Sequence, residues 1–278
     1  MIDFKSFITE AAQQGFVYEQ NVAKALKKKG WVRPNYQPAG ASSDRPDLDL
    51  FIKGKEYGCE LKMGLASAGS LVLYFNGPGK GYSYGETEGS EEKIFLKSIG
   101  EGVDALNLIK KKWKTDPWIQ SPRDEEWVKR AIKSKLNVEQ RYNQDLETHP
   151  DIIVPVGSHL ISEYYKHKGC DYLNVGTHGF YTFGSTDPAE FNNCNNPPVP
   201  NWDDSHVAQL RIRIQYKGGM STALAREKTQ GITAKGAQGY QITMELQFKT
   251  VTRSNYNLGL IRPSDPKIIS ITLPQICK

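Results

Sequence analysis

No apolar run in the 278 residues approaches the ~18–20 that a helix needs to cross a bilayer, so a helical membrane span is excluded. The opening stretch MIDFKSFITEAAQQG places Asp3 and Glu10 among its apolar positions and has no continuous apolar core, so a signal peptide is not expected. Cysteine is scarce. Cys59, Cys170, Cys194 and Cys277 form no CxxC pair and have no histidine at zinc spacing. Four free thiols in a reducing compartment, and hence a cytoplasmic protein, are the expectation. The five histidines (149, 159, 167, 178 and 206) make no HxH, HExxH or HNH-like arrangement, which argues against a histidine-held metal. There is no internal repeat and no heptad pattern. A phosphate-binding loop is also missing, because Gly77-Pro78-Gly79-Lys80 runs on into Gly81 and Tyr82 rather than into Ser/Thr and a helix.

What is present describes a folded globular chain: 38% hydrophobic and 24% charged residues, with a mild net charge of +5. That charge is uneven. Residues 201–278 hold eleven Lys/Arg against five Asp/Glu, a balance of +6, which leaves −1 for the first 200. A basic C-terminal segment suits a polyanionic partner, and surface charge for solubility explains it equally well.

Helical spacing recurs over 3–14, with Gly15 as its stop, and over 17–29, where Gly30 closes the helix. Lys27, Lys28 and Lys29 sit in that last turn, where cations suit the helix dipole, and read as a solvated helix end before a DNA patch. Residues 48–53 and 55–62 read as strands joined by a tight turn at Lys53-Gly54-Lys55, and SLVLYF (70–75) as a third, central strand. A Gly-rich loop follows. Residues 90–114 form one helical stripe, and Ser121-Pro122 opens another helix. Beyond about 150 the texture turns β-rich: a strand at 152–156, a short helix at 158–168, a hairpin at 172–184 around Gly176-Thr177-His178-Gly179, and two cleanly alternating strands in AQLRIRIQYKGG and GYQITMELQFKTVT. The expected division is therefore 1–148 and 149–278.

The chemistry concentrates in PDLDLFIKGKEYGCELK (46–62). Side chains alternate along a strand, so Glu60 and Lys62 share one face while Cys59 and Leu61 take the other. Asp47 and Glu60 lie about equally far from Gly54, so a hairpin turning there brings both carboxylates and the ammonium to one end of the sheet. Asp49 shares a face with Asp47 and competes for the same role. Close carboxylates repel unless a cation relieves them, and Mg²⁺ is held through one or two carboxylates plus water and phosphate oxygens. A cross-strand ion pair on a solvated sheet accounts for Glu60 and Lys62 but not for the aspartates opposite them.

Pro46-Asp47 followed by Glu60-Leu61-Lys62, with a helix before, a Gly turn between and a strand and helix after, resembles the signature of the PD-(D/E)XK nuclease superfamily over roughly residues 15–115. The resemblance implies a restriction-endonuclease-like α/β core, a central mixed sheet flanked by helices, with a β-rich C-terminal region added. It implies Asp47 and Glu60 as metal ligands for Mg²⁺ (a second ion being an option) and Lys62 as the catalytic lysine. Glu19, in YEQNVAKAL, resembles the helix glutamate that several members aim at the metal. The implied activity is Mg²⁺-dependent endonucleolytic hydrolysis of double-stranded DNA, of sequence-specific restriction type. A structure-selective resolvase or repair nuclease, and a catalytically silent DNA-binding protein, are the alternatives. Region 1–148 would carry the nuclease core and 149–278 the DNA contacts. Members of the family often dimerise to cut both strands, which makes a homodimer an option.

For those contacts the strand LRIRIQYKGG offers Arg211, Arg213 and Lys217 on one face, which is open to groove readout or to plain solvation. His178 is a candidate base or phosphate contact and equally a polar turn residue.

Overall fold

The computed structural model describes residues 4–36, 45–65, 67–119, 124–216, 240–262 and 265–278. In chain order it contains α1 (Phe4–Lys28), β1 (Leu48–Ile52), β2 (Lys55–Lys62), β3 (Ser67–Phe75), β4 (Tyr82–Tyr84), α2 (Glu91–Gly102), α3 (Ala105–Lys112), α4 (Glu125–Lys133) and α5 (Val138–Thr148). There follow β5 (Ile152–Val156), α6 (His159–His167), β6 (Tyr172–Val175), β7 (Gly179–Thr182), α7 (Trp202–Ser205), β8 (His206–Tyr216), β9 (Tyr240–Val251), β10 (Asn257–Arg262) and β11 (Asp265–Thr272). The protein is mixed α/β. Among the described residues no helix is long and apolar enough to cross a membrane.

The chain folds into two compact units. One gathers Met1–Ala68, Val156–Gln209 and Gln247–Lys278; the other gathers Gly69–Pro155 and Leu210–Leu246. Neither follows the sequential boundary at 148/149. The reason lies in the sheet of the first unit, ordered β1-β2-β6-β7, where β6 runs parallel to β2 while β1–β2 and β6–β7 are antiparallel. The expected hairpin around Gly176–Gly179 forms, but its first strand pairs with β2 and belongs to the same sheet.

One face of that sheet carries Leu48, Leu50, Ile52, Tyr57, Cys59, Leu61, Tyr172 and Phe180, buried against Tyr18, Val22, Ala23 and Leu26 of α1. Gly15 does not end α1, which runs on through it to Lys28, since a mid-helix glycine costs only about 1 kcal/mol. The helix ends where expected, at Gly30 in the left-handed region (φ +74°). There Gly30 N–H reaches the Lys27 carbonyl (3.1 Å) and Trp31 N–H the Leu26 carbonyl (3.0 Å). The β1–β2 turn uses Lys53 and Gly54 at φ 51° and 80°, the twist a two-residue hairpin requires. A buried network ties α1 to the sheet: Asn174 donates to Tyr18 Oη (2.9 Å), Tyr18 donates to the Gly259 carbonyl (3.0 Å), and Leu258 N–H donates to Asn174 Oδ1 (2.8 Å).

The second unit holds a five-stranded sheet ordered β4-β3-β9-β8-β5. The stripe over 90–114 is split rather than continuous, because Asp104 adopts φ 55° between α2 and α3. Ser121 and Pro122 lie outside the described residues, and Asp124 caps α4 by accepting from Trp127 N–H (2.9 Å). Asp145 is fully buried and accepts from Trp118 N–H (2.9 Å) and Tyr240 Oη (3.2 Å).

The four cysteines are not all free. Cys194 and Cys277 form a disulfide across 83 residues, while Cys59 and Cys170 are buried free thiols. The cytoplasmic expectation rested on four thiols and loses that support. Under non-reducing denaturing conditions a thiol-reactive dye should count two groups, and four after reduction; four without reductant would contradict the bridge. Reduction should lower the unfolding free energy by about 2–5 kcal/mol in urea titrations, since closing a loop of this size restricts the unfolded chain.

Candidate active site

The register Leu48↔Cys59 places Asp47, just ahead of β1, opposite Glu60. With Leu48, Cys59 and Leu61 committed to the core, alternation turns Asp47, Glu60 and Lys62 to the other face. Asp47 is aimed from within the hairpin: its Oδ2 accepts Leu61 N–H (3.0 Å), and its own carbonyl accepts Tyr36 Oη–H (3.0 Å).

Glu60 is 1% exposed, an unusual place for a carboxylate. Two lysines hold it ionised. Lys62 Nζ lies 2.8 Å from Oε1, and Lys168 Nζ lies 2.7 Å from Oε2. Burial acts to raise the Glu60 pKa; the Lys62 and Lys168 charges outweigh it and hold the carboxyl below its ordinary range. Lys62 is correspondingly held well above the usual lysine value by Glu60, against the effect of burial. Both ammoniums lie over the ring of the buried Tyr165 from α6, at 5.9 Å for Lys62 and 5.8 Å for Lys168.

Lys168 enters on a second chain segment. At the end of α6, Gly169 N–H reaches the Lys166 carbonyl (2.9 Å) and Cys170 N–H the Tyr165 carbonyl (3.0 Å), with Gly169 at φ +74°, the same left-handed cap that ends α1. The chain then lies against Gly58. Asp171 N–H donates to the Gly58 carbonyl (2.7 Å), and Gly58 N–H donates to Asp171 Oδ2 (3.0 Å). A side chain at position 58 would run into the Gly169 carbonyl and stand 2.6 Å from Pro46 Cγ. The glycine two residues before Glu60 is thus the seat on which the lysine-bearing loop rests.

Two further carboxylates sense this cluster. Burial first, and the Glu60 charge second, push Asp47 up to about 6, with Lys62, the Leu61 N–H and Lys168 opposing. Glu19 on α1 is pushed up to about 7 by burial and then by Asp47, with Lys62 the leading opposing charge. The structure therefore brings Asp47, Glu60, Lys62 and Glu19 into one electrostatic neighbourhood. Asp49 belongs elsewhere: after burial, the charges it senses are those of Glu56 and Arg45. Among the described residues no group of three or more His, Cys, Asp or Glu is arranged to hold a metal ion.

The other expected contacts are scattered. Arg211 and Arg213 turn to one buried carboxylate, Glu245 of β9, at 2.8 Å and 3.8 Å, and Arg211 also lies 3.7 Å from Asp151. Lys217 is outside the described residues. His178 sits half-buried in the β6–β7 turn, its Nδ1 2.7 Å from Thr177 Oγ1, with its pKa lowered by burial and by Arg253. Lys168 and Tyr165 were not foreseen. The run HLISEYYKHKGCD signals a helix closing at Gly169, but nothing local says which of its basic residues turns inward.

No family model matches this chain, and no curated protein matches it. A solved structure similar to it is HhaI endonuclease in complex with DNA, 12% identical with a TM-score of 0.39, over 85% of this chain and 91% of that one. At that score the likeness bears on neither the chemistry nor the detail of the fold.

Two outcomes follow from the geometry. Gly58→Ala should cost about 1–3 kcal/mol in denaturant titrations, as the loop carrying Lys168 is lifted off β2; a neutral substitution would mean the loop does not rest there. Asp47 has a folded pKa above its unfolded value near 4, so its contribution to metal-free stability is lost as pH climbs from about 4 through 6. Asp47→Asn keeps an acceptor for Leu61 N–H and drops the charge. In chelator it should be more stable than wild type by about 1–3 kcal/mol at pH 8, with the gain gone below about pH 4. Equal urea midpoints at pH 8 would contradict the buried-charge account.

Proposed function

We propose that this protein is a Mg²⁺-dependent endodeoxyribonuclease of restriction-endonuclease-like fold, acting on double-stranded DNA. The observation that carries the reading is the meeting of Asp47, Glu60 and Lys62 on paired strands, in the spacing of the PD-(D/E)XK signature, with Glu19 beside them.

The donor set fits a hard divalent cation. All the candidate ligands are carboxylate oxygens; Asp47 is raised in pKa by burial and by Glu60, and Glu19 by burial and by Asp47, a surplus of negative charge that a cation relieves. Asp47 and Glu60 would hold Mg²⁺, and Glu19 offers a donor for a second ion. Bound there, the ion polarises a phosphate and lowers the pKa of a water. The chain's own residues do the rest. The Leu61 N–H fixes the Asp47 carboxylate, so its second oxygen is the one presented. Lys62, the more exposed of the two lysines at 23%, orients the attacking water and meets the charge that builds on the phosphorane. Arg211, Arg213 and Lys217 would add phosphate or base contacts. His178, in the turn after β6, would meet DNA near the site.

One observation favours a second reading. Both Glu60 oxygens are engaged by ammoniums, an arrangement that also suits a silent DNA-binding protein whose charges only hold the sheet together.

Plasmid DNA incubated with the protein, with Mg²⁺ and with chelator, separates the two. Discrete fragments only with Mg²⁺ indicate a sequence-specific endonuclease, and a smear a non-specific or shape-selective one. Retarded but uncut DNA sinks the nuclease reading. Lys62→Ala should lower cleavage at least ~100-fold, the size expected when a group stabilising transition-state charge is removed. Unaltered cleavage would remove Lys62 from the mechanism.

A further inference from the structure

The proposed cleavage uses one lysine, yet the site contains two. Lys168 makes the shorter contact to Glu60 and is the more enclosed, 8% exposed against 23% for Lys62. It comes from a separate chain segment. The helix cap at Gly169 fixes its backbone, and the paired bonds between Asp171 and Gly58 fasten that segment to β2 two residues before Glu60. Lys62 shares its strand with Glu60 and has the more exposed side chain.

In the proposed reaction the Lys62 ammonium is needed at the water or the phosphate. If Glu60 had Lys62 as its sole partner, drawing Lys62 away before a metal ion is bound would strand a buried charge, which is costly. Of the two cations on this carboxylate, a single positive charge is enough to satisfy Glu60 itself. The more enclosed lysine is the one that stays.

We propose that Lys168 is the standing counter-ion of Glu60, a positioning residue whose ammonium neutralises the buried carboxylate and thereby releases Lys62 to the substrate phosphate. This rests on the nuclease reading for the identity of the substrate, though not for the division of roles between the two lysines.

The test reads lysine availability directly. The full chain is acetylated under native conditions in chelator, without DNA, and followed by mass spectrometry. Lys62 should react about tenfold faster than Lys168, because an amine kept on a buried carboxylate is withheld from the reagent; equal rates, or Lys168 the faster, overturn the proposal. This comparison needs no variant. Lys168→Gln keeps a hydrogen-bond donor for Glu60 without the charge. In the folded variant, Lys62 labelling should fall about fivefold relative to exposed Lys55, and kcat about tenfold with KM within about twofold, as Lys62 becomes the sole partner of Glu60. Lys168→Arg should restore both. A folded Lys168→Gln protein with wild-type Lys62 labelling overturns the proposal. If wild type shows the labelling difference but cuts no DNA, the nuclease reading fails and the counter-ion role stands. If wild type cuts and the labelling rates are equal, the reverse holds.

Discussion

The structure turns on a single buried charge. Glu60 lies inside the first unit, on the second strand of its sheet, where an unpaired carboxylate would not be tolerated. Satisfying it takes a lysine from its own strand and another from the end of α6. That demand explains several features at once: the left-handed cap at Gly169, the absence of a side chain at Gly58, the Asp171 clasp on the strand, and the Tyr165 ring beneath both ammoniums.

The same device appears in the second unit, where buried Glu245 is shared by Arg211 and Arg213. The surroundings make the two differ. Around Glu60 stand Asp47, raised by burial and by the Glu60 charge, and Glu19, raised by burial and by Asp47, so the carboxylates of the cluster outnumber its lysines. Around Glu245 the further acid in contact is the more exposed Asp151, at 3.7 Å from Arg211, and the trio resembles a cross-strand knot more than a site. The first cluster is the stronger candidate site because its balance of charge is unfinished, and not because charges are buried there.

Much of the geometry of the candidate site was legible along the chain, because it depends on covalent periodicity. Strand alternation put Glu60 and Lys62 on one face, and equal distance from Gly54 put Asp47 across from Glu60; the register Leu48↔Cys59 agrees. The choice between Asp47 and Asp49 was narrower. In the structure Asp47 is the one that senses Glu60 and the two lysines, while Asp49 senses Glu56 and Arg45. Gly30 ended its helix as read, while Gly15 did not, because a glycine inside a helix costs too little to stop it. Asp104 broke a helix whose apolar stripe was continuous, a case in which a residue tolerant of positive φ overrode the pattern.

By itself, then, the sequence determined the hairpin, the face shared by the acid and the lysine, and the helix that carries Glu19, since each follows from backbone period and turn stereochemistry within a few residues. Only the tertiary structure decided that β6 lies parallel to β2, that Cys194 meets Cys277, and that Lys168 rather than a neighbouring base closes on Glu60. Those pairings join segments some 80 to 110 residues apart. They are selected by which surfaces bury best together, and competition of that kind leaves no periodic trace along the chain.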